Sequence, residues 1–517
     1  MSKTKYDTIL VLDFGGQYCH LIGRRVREHG VYSEIVPHDI MPKEIEALQK
    51  KFNVKGLILS GGPASVYEKN APKCDEALLD VGLPVLGLCY GYDLIAQMVG
   101  GRVERSIRRE YGIANVMINR AVGVLKGLGK KEQVWMSHGD TVLSLSKGFE
   151  VLAHSQNSPI AAFRSKTKPI YGLQWHPEVV HTKHGGQMLH NFLFEVCKCQ
   201  PNWQMEDFSE TSVAQIKKAI GKRKAIIALS GGIDSSTATA LAAKALGKNL
   251  TAVFVDHGFM REGEPEFVEQ TFGGLGMDFV SVDARERFLR RLKDVCDPEE
   301  KRRIIGVEFV RVFEEQAKRV GAEYLIQGTI YPDRIESGFR KFSDKIKTHH
   351  NVAGLPSKME FKKIVEPLRD LYKDEVRRVA EKLDLPREIV CRQPFPGPGL
   401  AVRVMGEISE EKVEIARKAD AIVREEIESA GLKDRLWQYF AVLTGTFSTG
   451  VKGDARAYGC VVAVRIVESR EAMTASFAKI PYEVLERIST RITNEIPQVV
   501  RVVYDITHKP PATIEWE

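Results

Sequence analysis

From the amino terminus to about residue 390, short apolar runs closed by glycine or polar residues alternate with amphipathic stretches, as expected of parallel strands buried between helices. Thr8 to Leu12, Gly56 to Leu59, Val85 to Leu88 and Ala225 to Leu229 read as buried strands, and the alanine-rich Thr237 to Leu246 as a helix. Two breaks divide this pattern. Cys197 to Asp207 (CKCQPNWQMED) loses periodicity and carries Pro201, which marks a linker. Gln393 to Gly399 (QPFPGPG) excludes regular structure through its prolines. Beyond it, Val461 to Val467 and Val499 to Ile506 read as strands and Ser409 to Ala430 as a helix. The pattern therefore predicts an α/β chain of two doubly wound parallel-sheet modules, residues 1–200 and 201–392, and a smaller α+β carboxyl-terminal domain, 393–517.

Length and composition agree with several cores: 517 residues and 43% hydrophobic content exceed what one domain of roughly 150 residues uses. No run is long and apolar enough for a membrane span or a signal peptide, so the expectation is a cytoplasmic protein with no membrane partner. The eight cysteines are scattered without a C-x-x-C pair, which suits reduced thiols better than disulfides or zinc. A net charge of +7 is mild for this length, and most basic clusters alternate with acids as solvated helix surface. Lys217, Lys218, Lys222, Arg223 and Lys224 are the group best placed for phosphate or RNA, yet no nucleic-acid partner is expected.

In open α/β sheets, chemistry gathers in loops beyond the carboxyl ends of strands. Gly87-Leu88-Cys89-Tyr90-Gly91 has the form of a nucleophile elbow with cysteine in place of serine. Its glycines permit a tight turn, and the following helix amino terminus favours a thiolate. Such a thiol needs a base, and His176-Pro177-Glu178 offers an imidazole with a carboxylate to orient it. Cys89, His176 and Glu178 are the candidate catalytic residues. In the second module, Ser230-Gly231-Gly232-Ile233-Asp234-Ser235-Ser236 follows a strand and precedes a helix. Glycine backbone, serine hydroxyls and a helix amino terminus suit pyrophosphate, and Asp234 suits a magnesium ion (Mg2+) bound with ATP.

The order Cys, His, Glu, joined by Ser60-Gly61-Gly62-Pro63, resembles class I glutamine amidotransferases. That resemblance implies an oxyanion hole at the amides of Gly62 and Tyr90, and glutamine contacts at Ser137 and Asp140. One departure stands out: members usually carry Gly-Met-Gln after the Cys-Tyr pair, whereas this chain has Gly91-Tyr92-Asp93, so weakened glutamine binding is expected. S-G-G-x-D-S resembles the loop of N-type ATP pyrophosphatases, which cleave ATP to AMP and pyrophosphate. No Walker G-x-x-x-x-G-K-[ST] occurs.

The substrate is implied by the downstream segments. Val255 to Gly258, Asp297 to Gly306, Gln327 to Asp333, Ile335 to Ser337, His349 to Val352, Phe395 to Leu400 and Lys509 to Glu517 resemble the glutamine-hydrolysing GMP synthetase family. The resemblance implies conversion of XMP to GMP with ATP and glutamine, in a homodimer built on the carboxyl-terminal domain. It assigns Asp333 and Glu336 to the adenylation site and Lys347, His349 and His350 to a lid. Arg501, Lys509, Ile514 and Glu515 would bind XMP. Arg334 and Gln393 depart from the family's usual valine and histidine, with altered rate or nucleotide affinity as the expectation. A tRNA-thiolating pyrophosphatase is the alternative, but it would need a sulfur-relay cysteine pair that the loop lacks. An XMP aminase fed by free ammonia, with a weakened glutaminase module, is the other.

Overall fold

The computed structural model describes residues 5–205, 208–338, 361–469, 472 and 474–517, without the side chains of 107, 108 and 336–338. The chain divides into two compact units, Met1–Gln204 and Met205–Glu517.

The first unit holds β1 (Asp7–Asp13), β2 (Tyr32–Pro37), β3 (Asn53–Leu59), β4 (Val85–Leu88), β5 (Arg102–Ile118), β6 (Lys131–Ser144), β7 (Phe149–His154), β8 (Ala162–Ser165) and β9 (Ile170–Leu173). They form one sheet in the order β2-β1-β3-β4-β9-β8-β7-β5-β6. The β2-β1-β3-β4-β9 half is parallel, as the apolar runs predict. The remainder is antiparallel, an extension that alternating patterns in a long hairpin concealed. Inside the segment read as a linker, Cys197, Cys199 and Trp203 are buried, and Trp203 packs edge-on against Tyr6 and Tyr32. Loss of periodicity there marks irregular backbone, while its aromatic ring still belongs to the first core.

In the second unit, β10 (Ala225–Ala228), β11 (Leu250–Asp256), β12 (Asp278–Asp283), β13 (Tyr324–Ile326) and β14 (Lys363–Val365) form a parallel sheet in the order β12-β11-β10-β13-β14. A smaller sheet contains β15 (Gln438–Lys452), β16 (Ala455–Glu468), β17 (Ser476–Phe477) and β18 (Val499–Tyr504). The long helix Pro298–Val320 starts where Asp297 accepts the Glu300 amide and Pro298 needs no donor, and it ends at Gly321 with φ +65°. The helix Glu410–Ser429 is capped in the same way by Ser409.

One apolar cluster spans both sheets of this unit, joining Val253, Phe288 and Val312 to Leu400, Val413, Val462 and Ile488. A charged junction lies within it. Arg403, fully buried, donates to Asp420 at 3.0 Å and to both oxygens of Glu515 at 3.0 and 3.1 Å, with its guanidinium 4.0 Å from the Phe440 ring centre. Removing one partner of a buried pair strands the other. Arg403→Met is therefore expected to destabilise this unit by about 3–5 kcal/mol. The check is a lowered urea midpoint for the intact chain, and an unmoved midpoint would contradict it.

Candidate active site

The topology explains why residues distant in sequence meet in the first unit. β3, β4 and β9 are adjacent parallel strands, paired Leu59 to Gly87 and Leu88 to Leu173, so their carboxyl ends share one edge. Ser60 to Gly62 leave β3, Cys89 leaves β4, and His176 and Glu178 follow β9. Cys89 takes φ +51° and ψ −108°, a conformation rare for a side-chain-bearing residue and typical of a strained elbow. The flanking glycines are dictated by contact: a Cβ on Gly87 would lie 2.5 Å from the Gly91 carbonyl oxygen, and one on Gly91 would lie 2.3 Å from that of Leu59.

His176 Nδ1 donates to Glu178 Oε1 at 2.7 Å, and both side chains are buried. The His176 backbone is clamped, its amide donating to the Trp135 carbonyl at 3.1 Å and its carbonyl accepting from the Thr182 hydroxyl at 2.6 Å. Burial would push the imidazole down, but Glu178 and then Cys89 outweigh it and hold the ring well above its ordinary value. The Cys89 thiol donates weakly to the Ser137 carbonyl at 3.5 Å. Tyr90 opens the helix Tyr90–Met98, so its amide has no helical acceptor, and Gly62 lies against the Tyr90 ring.

A cavity of about 1000 Å3 is lined by Gly62, Cys89, Tyr90, Asp93, Ser137, Asp140 and His176, which brings together every residue expected in this module except Glu178, which lies behind His176. Tyr67 carried no motif, whereas Gln174 stands two residues before His176. Tyr67 donates to Asp140 Oδ1 at 2.8 Å, and the buried Gln174 faces Asp93.

In the second unit the serine loop follows β10, at the point where the sheet order turns outward on both sides, the usual ligand position in such sheets. The helix begins at Ile233, earlier than the periodicity predicts, so Ile233 to Ser236 form its first turn. Apolar spacing cannot reveal this start, because the polar residues there serve the helix amino terminus. Ser230 and Ser235 hydroxyls are 3.0 Å apart, and Ser235 donates to the Gly232 carbonyl at 3.1 Å. Gly231 sits at φ +73°, and its carbonyl accepts from Arg392 at 2.7 Å. Asp234 Oδ2 faces Lys373 at 3.3 Å, while Oδ1 is buried without a partner among the described residues. Lys373 and Arg392 come from remote segments with no motif to announce them. An Mg2+ ion takes one or two carboxylates and completes its shell with phosphate oxygens and water, so this single carboxylate fits magnesium bound together with ATP. Among the described residues no group of three or more His, Cys, Asp or Glu is placed to hold a metal by protein ligands alone.

Asp333 and Glu336 lie on the helix Tyr331–Gly338, and Asp333 accepts the Ile330 amide at 3.1 Å. Lys347, His349 and His350 lie outside the described residues. Arg334 donates to Asp370 at 2.6 Å, and Gln393 exchanges two hydrogen bonds with the Tyr439 backbone at 2.9 and 3.2 Å. Arg501 bonds to Ser448 on β15, Lys509 to the Ala472 carbonyl, Ile514 is buried, and Glu515 is held by Arg403 and Gln438. His257 is buried and accepts the Phe259 amide, and burial pushes its imidazole down to about 4.

A cysteine elbow served by a His-Glu pair, together with a serine-glycine loop at the switch point of a second sheet, defines a glutamine amidotransferase joined to a PP-loop nucleotide-binding module. The family models agree: "Glutamine amidotransferase class-I" matches residues 10–196, "PP-loop domain" 205–386 and "GMP synthase C terminal domain" 425–516. A protein of Caldicellulosiruptor saccharolyticus named GMP synthase [glutamine-hydrolyzing] is 54% identical over 99% of this chain and 100% of its own length. Proteins of the same name from Bacillus cytotoxicus and Caldanaerobacter subterraneus are each 52% identical, covering 100% of this chain and 100% of that protein, and 99% of each, respectively. The chain belongs to the glutamine-hydrolysing GMP synthase family.

Proposed function

We propose that the chain makes GMP from XMP, ATP, glutamine and water, releasing AMP, pyrophosphate and glutamate, with the work divided between the two sites. The observation that carries the division is the buried Cys89, His176 and Glu178 constellation on one sheet and the serine loop on another. At the first site, His176 takes the Cys89 proton and the sulfur attacks the glutamine carboxamide carbon. The Gly62 and Tyr90 amides receive the oxyanion, His176 returns the proton to departing ammonia, and water then hydrolyses the thioester to glutamate. Glu178 keeps the imidazole oriented throughout.

At the second site, xanthine O2 attacks the α-phosphorus of ATP and pyrophosphate leaves. Ammonia then adds at C2, and AMP departs with O2. Magnesium would be held at Asp234, where it supplies charge neutralisation for pyrophosphate. Ser230, Gly231, Gly232, Ile233, Ser235 and Ser236 bind the phosphates, and Asp333 with Glu336 line the adenylation site. Lys347, His349 and His350 belong to the lid. Arg501 and Lys509 suit the XMP phosphate by charge, and Ile514 and Glu515 complete the XMP site. The test is an assay with XMP, ATP and magnesium, with glutamine or ammonium as nitrogen source, scoring GMP and AMP. Absence of GMP from both sources would overturn the reading.

Two further points extend it. The enzyme works in the cytoplasm, which the eight unpaired cysteines support, and among the described residues no helix is long and apolar enough to cross a membrane. It works as a homodimer through the carboxyl-terminal domain, supported by exposed Phe447, Val451, Tyr458, Tyr482, Val503 and Ile506. Light scattering on the intact chain should return twice the 58.0 kDa chain mass, and Tyr458→Glu should lower it toward one chain.

A further inference from the structure

Asp93 is the one acidic residue in the first turn of the helix that opens just after Cys89, and its amide donates to the Cys89 carbonyl at 3.0 Å. It lines the same cavity as Cys89, Ser137 and Asp140, yet the side chain is only 5% exposed and its Oδ1 is buried without a hydrogen-bond partner among the described residues. Its surroundings are unusual for a carboxyl. Asp140 faces it from β6, Tyr90 and Tyr92 flank it on its own helix, and Gln174 faces it from the segment after β9. The Gln174 side chain is fully buried, and its amide bears on the Asp93 carboxyl and draws it down. Arg105, Arg109, His138 and His176 line the same cavity, while the influences on the Asp93 carboxyl are burial, Asp140 and Gln174. A buried carboxyl beside a second acid is costly to ionise until a cation joins the pair.

We propose that Asp93 sets glutamine affinity and specificity in this chain by pairing with Asp140 to receive the substrate's α-ammonium group. The proposal rests on the reading of the Cys89 cavity as the glutamine site.

In the free protein, burial and then the Asp140 charge hold the Asp93 carboxyl well above its ordinary range, which favours its protonated form. Gln174 can serve either state by turning its amide, accepting from the acid or donating to the carboxylate. An arriving ammonium favours the ionised form, and the proton leaves to solvent as glutamine binds. The sign follows: glutamine binding is weakest at low pH, strengthens as pH rises through the carboxyl's ionisation, and then levels off. The residue that makes glutamine capture weaker in acid therefore makes it discriminating above that range.

The test uses the full chain carrying Cys89→Ala, which binds glutamine without turnover, and calorimetry in two buffers of different ionisation enthalpy. About one proton should be released per glutamine bound, and none when Asp93→Asn is added. Glutamine should bind about 10- to 100-fold more weakly to the Asp93→Asn form at high pH, with the two curves converging toward low pH. In turnover by the otherwise native chain, preference for glutamine over glutaramate, which lacks the α-amino group, should fall by a similar factor, a readout that a merely structural role would leave in place. Asp93→Gln provides a second variant if the asparagine form folds poorly, with ammonium-dependent GMP formation as the folding control.

Proton release that persists without Asp93, an unchanged preference over glutaramate, or tighter glutamine binding by the variants at every pH would each overturn the proposal. Complete absence of glutamine binding to the Cys89→Ala chain would instead overturn the underlying assignment of the cavity.

Discussion

A chain carrying Cys89→Ala is expected to make no GMP from glutamine while keeping its rate with ammonium. Alanine preserves the elbow, because the flanking glycines and not the thiol satisfy the close backbone approaches to Gly91 and Leu59. What disappears is the only sulfur that, among the described residues, lines the cavity beside His176. With no nucleophile, the residual glutamine reaction should be at least about 10⁴-fold slower, the size of effect seen when one member of a group that acts as a unit is removed. Ammonium enters the sequence after this step, so the second site does not register the change. The measurement is GMP formation at saturating XMP and ATP with each nitrogen source in turn. Equal loss with both would show that the two chemistries are not separable, and retention of the glutamine reaction would remove Cys89 from its role.

The opposite signature is expected of Asp234→Asn. Both nitrogen sources depend on the adenylate, so both rates should fall together, by about 10²- to 10³-fold, the usual consequence of losing one preorganised charge at a phosphate-transfer site. The asparagine keeps the helix start and nearly the same volume, but it leaves Lys373 without its partner and offers magnesium a neutral oxygen in place of a carboxylate. AMP release with ammonium as nitrogen source isolates this effect from the cysteine site. An unchanged ammonium-dependent rate would remove Asp234 from the nucleotide site.

Local pattern made much of this protein legible before any coordinates. Buried parallel strands are continuous apolar runs because both faces are covered, and the Cys89 elbow and the Ser230 loop are contiguous because a turn or a phosphate cradle is built from neighbouring residues. Apolar spacing still misjudged where polar residues begin a helix, as at Ile233, and it did not show the antiparallel extension through β5 to β8. Nor could it mark Tyr67, Lys373 or Arg392 as neighbours of the two sites, since each arrives from a distant segment on an unremarkable stretch.

Asp93 shows the boundary most clearly. Sequence alone determined that an acid stands where a glutamine is usual, on the turn after the nucleophile, and that two separate chemistries share the chain. Only the tertiary structure decided what that acid faces: Asp140 from β6 and Gln174 from beyond β9, in a cavity whose burial disfavours charge. The physical reason is that a carboxyl's charge state depends on the dielectric and the partners around it, and those are assembled by strand order, which no local run of residues encodes.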